Sequence, residues 1–181
     1  MSPAFWITGL PAAGKTTLAQ ALASRLRGTH RSVQILDGDE LRRGLCADLG
    51  FSPADRRENL RRAAHATRLL QQAGVCCIAA FISPLHADRE LVRSILGPEN
   101  LIEIYLATPV EVCRQRDFKG NYARADRGEI SAFTGVSAPF EIPNSPDLTL
   151  EPHRHSVEAC VDAVLRYLAQ RTESPGEQRS T

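Results

Sequence analysis

Residues Gly9–Thr17 read GLPAAGKTT and directly follow the apolar run AFWIT of residues 4–8. Gly9, four intervening residues, and then Gly14, Lys15 and Thr16 form the pattern of a phosphate-cradling loop, set between a strand-like run and a helix-like run. The glycines let successive backbone N–H groups turn toward one anion, and the following helix presents its positive end to the same point. Lys15 is placed to reach the outer phosphates. The Thr16 hydroxyl suits a magnesium ion, which takes oxygen ligands and shares them with the nucleotide's own phosphates.

Outward from that loop, short β-branched apolar runs alternate with longer helical patterns, which predicts parallel strands joined by crossover helices, an α/β fold. Strands are expected at Ala4–Thr8, Val33–Leu36, Val75–Phe81, Leu101–Ala107 and Asp147–Leu150. Helices are expected near Lys15–Arg27, Ala54–Ala73, Leu85–Leu96, Val110–Arg116 and Ser156–Gln170. In the second helix Leu60, Ala63, Ala64, Thr67 and Leu70 recur on one face and leave Arg56 and Asn59 at its N-terminal end. Residues 118–146 carry Gly120, Gly128 and Gly135, three late prolines, mixed charge and no sustained period, the profile of a lid. The sequence thus predicts one phosphate-loop domain over residues 1–171 and a disordered polar tail over 172–181.

At 181 residues, 43% hydrophobic and 24% charged, the chain has the composition of a folded globular domain. A net charge of +1 gives no global field for nucleic acid or an anionic membrane, so neither is an expected partner. No apolar stretch approaches the length of a membrane span, and the N-terminus lacks a signal-peptide pattern; a cytoplasmic site is expected. The five cysteines lack a C-x-x-C pair and read as reduced structural thiols. His153 and His155 have no second cluster to complete a zinc site and read as polar residues at a helix entry.

Three polar stretches follow three strand candidates: GLPAAGKTT, DGDELR (37–42) and ISP (82–84). In open parallel sheets ligands bind beyond the carboxyl ends of the strands, so these stretches should line one crevice. Asp37 and Asp39 could hold magnesium through water or take a proton from a phosphoryl acceptor, and Asp39 could equally cap a helix. FSPADRRENLRR (51–62) adds an aromatic and several arginines, whose forks match phosphate or sulfate oxygens.

Taken together, GLPAAGKTT, DGDELRRGLCADLGFSPADRRENLRR, FISP, RDFKGNYARADRGEI and FTGVSAPFEIP resemble, in order and spacing, the adenylylsulfate kinases. The resemblance implies a three-layer αβα phosphate-loop kinase with a mainly parallel five-stranded sheet and a mobile lid, moving the ATP γ-phosphate to the 3′-hydroxyl of adenosine 5′-phosphosulfate. It implies ATP and Mg2+ as cofactors and the adenylyl sulfate as acceptor, with a homodimer as a possible assembly. The nucleotide would contact Gly9, Leu10, Pro11, Ala12, Ala13, Gly14, Lys15, Thr16, Thr17 and Arg116, with magnesium on Thr16 and on Asp37 through water.

The resemblance also implies an adenine sandwiched between Phe51 and Phe133, anion contacts from Arg42, Arg56 and Asn59, and flanking contacts from Ile82, Ser83, Thr134 and Gly135. Catalysis would fall to Lys15, Asp37, Asp39, Ser83 and Lys119. Asp39 is the expected acceptor base, and Ser83 sits where the family is described with a phosphoserine. The chain departs from the family pattern at Glu40, Asn121 and Asp126, and a carboxylate at Glu40 or Asp126 is expected to alter acceptor recognition. The remaining readings are a related kinase acting on another nucleotide conjugate and a nucleotide-gated binding module.

Overall fold

The computed structural model describes residues 3–29 and 31–173. Five strands, β1 (Ala4–Thr8), β2 (Val33–Asp37), β3 (Cys76–Ala80), β4 (Leu101–Leu106) and β5 (Leu148–Leu150), form one sheet in the order β2-β3-β1-β4-β5. All four pairings are parallel. The strand nearest the N-terminus therefore lies at the centre, and the chain order reverses on either side of it, which opens the crevice beyond its carboxyl end.

Alternation along β1 divides the core. Phe5 and Ile7 point to one layer, which includes Leu18, Leu22 and Leu26 of α1 (Lys15–Arg27) and Val161, Val164 and Leu168 of α7 (Val157–Glu173). Ala4 and Trp6 point to the other, packed by α3 (Pro53–Gln72) and α4 (His86–Leu96). The stripe expected on α3 is buried at Leu60, Ala63, Ala64 and Thr67 and partly buried at Leu70. Ser52 caps this helix by accepting from the Asp55 amide, with Pro53 in the first turn, so the helix starts one residue earlier than the pattern alone suggests.

Several sequence expectations need correction. A short helix, α2 (Gly38–Leu41), follows β2, and its cap is Asp37, which accepts from the Asp39 amide, so Asp39 is not the cap. The expected lid is not without regular structure. After α5 (Val110–Gln115) it holds α6 (Asn121–Asp126), whose Tyr122 and Ala125 are buried in the core. Helix α7 runs on to Glu173, three residues past the expected end, so Thr172 and Glu173 belong to it; the remainder of the expected tail lies outside the described residues. No helix among the described residues is long and apolar enough to cross a membrane.

Candidate active site

The phosphate loop joins β1 to α1. Gly14 adopts φ +101, a conformation open to glycine, and delivers the chain into the helix at Lys15. Lys15 folds back on the loop, its Nζ donating to the carbonyls of Gly9 (2.9 Å) and Leu10 (2.7 Å). Burial lowers its pKa to about 8, against the smaller opposing fields of Cys113, Asp37 and Asp39. Phosphates bind the charged form, so nucleotide uptake should draw a proton onto Lys15 as pH rises through 8. The dissociation constant for ATP is therefore expected to grow up to about tenfold between pH 7 and pH 9. Calorimetric titration across that range checks it, and a flat profile would mean that another group carries the charge.

Asp37 ties the loop to the next element. Its Oδ2 accepts from Thr16 Oγ1 at 2.8 Å while Oδ1 caps α2. Two oxygen donors thus stand side by side at the start of α1. Among the described residues no group of three or more His, Cys, Asp or Glu side chains could hold a metal alone. Arg116, at the end of α5, donates to the Pro152 carbonyl, and Pro152 lies beside Gly14 of the phosphate loop. Thr17 is exposed on the first turn of α1.

Facing this loop is a second polar cluster. Arg42 donates to the carbonyls of Leu49 and Gly50 and lies 4.4 Å from the Phe51 ring centroid. Arg56 donates to the carbonyls of Phe51 (3.0 Å) and Ala132 (2.8 Å) and to Thr134 Oγ1 (3.2 Å), so it joins α3 to the far end of the lid. Asn59, one turn further along α3, is buried, and its Nδ2 has no partner. A buried donor left unpaired costs about 1–3 kcal/mol, which an incoming acceptor atom would relieve. Phe51 is 63% exposed, whereas Phe133 is 9% exposed and meets Tyr122 edge-on at 5.0 Å. The two rings expected to form one sandwich are thus unequal: Phe51 is exposed with Arg42 and Arg56 against its ring, and Phe133 is also a core residue.

Lys119 and Asp39 close the gap between the lid and α2 by a direct ion pair, and this contact raises the lysine's pKa. Both side chains are about two-thirds exposed, so the pair is easily exchanged for a ligand. Ser83 is buried, with φ +43; its Oγ accepts from Trp6 Nε1 at 2.9 Å. Its carbonyl accepts from the buried Arg89, which also donates to the Glu141 carbonyl. Ile82 is held next to it by the Thr8 hydroxyl, which donates to the Ile82 carbonyl at 2.6 Å. Asp126, expected to bear on the acceptor, pairs with Arg114 on α5 at 2.5 Å and is spent on the lid's own base. Glu40 stays exposed on α2.

The residues that sequence reading passed over are Trp6, Arg89, Tyr122 and Glu141. Each acts through a partner far along the chain, as in Trp6 to Ser83. The tyrosine alone had a local signal, closing the motif that begins at Lys119 and Gly120.

The sequence pattern of adenylylsulphate kinases matches residues 1–151. The chain belongs to the adenylylsulphate kinase family. An adenylyl-sulfate kinase of Paraburkholderia xenovorans is 53% identical over 163 residues, spanning 90% of each chain. Among solved structures, the APS kinase of Mycobacterium tuberculosis in complex with AMPPNP and APS superposes with a TM-score of 0.90 at 40% identity, covering 93% of this chain and 98% of that one. A hexameric APS kinase from Thiobacillus denitrificans is 29% identical with a TM-score of 0.71, covering 94% of this chain and 29% of that one. The two solved adenylylsulphate kinase structures share the fold of this chain.

Proposed function

We propose that this chain is an adenylylsulfate kinase, transferring the γ-phosphoryl group of ATP to the 3′-hydroxyl of adenosine 5′-phosphosulfate. The observation that carries the reading is a second polar cluster, where Arg42 and Arg56 lie against an exposed Phe51 and, one turn along α3, the buried Asn59 Nδ2 is unpaired. Guanidinium forks suit sulfate and phosphate oxygens, and an open aromatic face suits a purine. A nucleotide-gated binding module would have no use for this second face.

In the proposed reaction the acceptor's 3′-oxygen forms a bond to the γ-phosphorus while the bond to the β–γ bridging oxygen breaks. Asp39 takes the hydroxyl proton after Lys119 turns from it toward the transferring group. Lys15 leaves the Gly9 and Leu10 carbonyls for the β and γ oxygens, and the loop amides hold the same charge. Thr16 and Asp37 would hold Mg2+, which supplies charge neutralisation on the phosphates. With the lid seated, bulk water is kept from the γ-phosphoryl group. Transfer is direct in this reading, because the Ser83 hydroxyl is turned into the protein toward Trp6 and has no base beside it to make it a nucleophile.

The deciding measurement is ADP release with adenylyl sulfate, nucleoside monophosphates and other nucleotide conjugates offered in parallel, with the product's mass and 3′-position assigned. Stimulation by adenylyl sulfate alone is expected. Equal or greater stimulation by another conjugate would make the chain a kinase for that acceptor instead. Self-association as a homodimer is part of this reading, and light scattering in solution measures it directly.

The two aromatic residues give a sharper expectation. Phe51→Ala should raise the acceptor KM by the factor that about 1–3 kcal/mol of stacking provides while leaving the ATP KM and the melting temperature nearly unchanged. Phe133→Ala should do the same and also destabilise the fold, since its ring is packed against Tyr122. An ATP KM that rises equally in Phe51→Ala would remove Phe51 from the acceptor site.

A further inference from the structure

Three successive carbonyls of the phosphate loop are engaged by side chains. Those of Gly9 and Leu10 accept from Lys15, and that of Pro11 accepts from Tyr122 Oη at 3.0 Å. Nucleotide phosphates must recruit Lys15; the Gly9 carbonyl then loses that donor, while the Leu10 carbonyl keeps the Ala13 amide at 3.1 Å. Together with the Thr108 hydroxyl on the Ala13 carbonyl (3.0 Å), the Tyr122 bond can persist and tie the loop to the rest of the protein while the lysine changes partners.

Tyr122 comes from the lid helix α6 and is 2% exposed. Its amide donates to Asp117 Oδ2 at 2.7 Å, and the Arg114 guanidinium carbon lies 5.3 Å from its ring centroid. The Phe133 ring meets it edge-on at 5.0 Å. Two residues past Phe133, Gly135 (φ +86) lets the lid backbone come so close to the phosphate loop that a Cβ there would stand 2.9 Å from Leu10 Cδ2. The residues flanking Phe133, Ala132 through its carbonyl and Thr134 through its hydroxyl, both accept from Arg56. One tyrosine thus touches the nucleotide loop through its hydroxyl and the acceptor side of the lid through its ring.

We propose that Tyr122 is a positioning residue that makes the two substrate sites report on each other: its hydroxyl holds Pro11 while its ring sets Phe133. The inference rests on the adenylylsulfate kinase reading. An acceptor that draws Phe133 and Thr134 into place seats Tyr122 against Pro11 and preforms the loop for phosphates. By linkage a bound nucleotide prepares the acceptor face by the same factor.

The test measures binding of a non-hydrolysable ATP analogue by calorimetry, alone and with saturating adenylyl sulfate, in the wild type and in Tyr122→Phe. The substitution removes one oxygen and keeps the ring, so the fold should persist. In the wild type the acceptor should tighten the analogue by at least about fivefold. In Tyr122→Phe the affinities of the two ligands measured singly should stay within about threefold of wild type, and the coupling factor should fall to near one. An unchanged coupling factor in Tyr122→Phe, or the absence of coupling in the wild type, would overturn the proposal and leave the activity reading standing. A loss of analogue affinity in the absence of acceptor, with coupling preserved, would overturn it in favour of a purely local role in the loop. Failure of the wild type to bind adenylyl sulfate at all would overturn the activity reading as well.

Discussion

Lys15→Ala is expected to lower kcat by a factor of about a thousand while the protein still folds. The lysine contributes nothing to the core: its Nζ bonds only the Gly9 and Leu10 carbonyls of its own loop. Removing it takes a donor from the Gly9 carbonyl, leaves the Leu10 carbonyl its bond from the Ala13 amide, and strips one full charge from the position where the β and γ phosphates must lie. The loop amides and the positive end of α1 remain, so weakened nucleotide binding should survive the substitution. Calorimetry for ATP, a melting curve and single-turnover ADP formation separate the three effects. Wild-type turnover in Lys15→Ala would sink the kinase reading, whatever the fold.

The second large effect is expected from Asp39→Asn, a loss of about 100- to 10,000-fold in kcat with the KM values for both substrates changed only severalfold. Asparagine keeps the shape and can still meet Lys119, but it cannot accept the hydroxyl proton. The exposed Lys119–Asp39 pair contributes little to stability, so the melting temperature should hardly move. If Asp39→Asn retained more than a tenth of the wild-type kcat, Asp39 would be no base. Its part would then be to hold Lys119 in readiness.

What the sequence made legible depended on how far apart the interacting residues lie. The phosphate loop is a local device, in which glycine spacing, the lysine and the flanking periods sit within fifteen residues, and it folds as its letters suggest. The buried stripe of α3 is legible for the same reason, since Leu60, Ala63, Ala64 and Thr67 carry a 3.6-residue period. Helix α6 was hidden because six residues between two glycines with mixed charge show no period. It is held instead by Tyr122 and Ala125 entering the core, a tertiary effect that propensity does not record. The pairing of Asp126 was illegible because its partner Arg114 lies on another helix, and nothing nearby in sequence marks it. The inequality of Phe51 and Phe133 was invisible too: both are phenylalanines in polar surroundings, and only the packing of Tyr122 on one of them tells them apart.

Among the described residues, three other than glycine adopt positive φ, namely Ala12 in the phosphate loop, Ser83 in the loop after β3 and Ala132 in the lid, so their backbone strain collects around the site. Such local strain has to be held by a finished scaffold, and the scaffold here is completed late. Strand β1 is synthesised before the other four strands, yet its partners are β3, beginning at Cys76, and β4, ending at Leu106. At a synthesis rate of about 5–20 residues per second, the apolar segment from Ala4 to Thr8 waits roughly 5–20 s for both neighbours. During that interval the nascent chain carries an unpaired hydrophobic strand with two open edges, the kind of segment that chaperones shield and that aggregates when they do not. The phosphate loop that follows β1 thus acquires its working shape only once the chain has been made through Leu106.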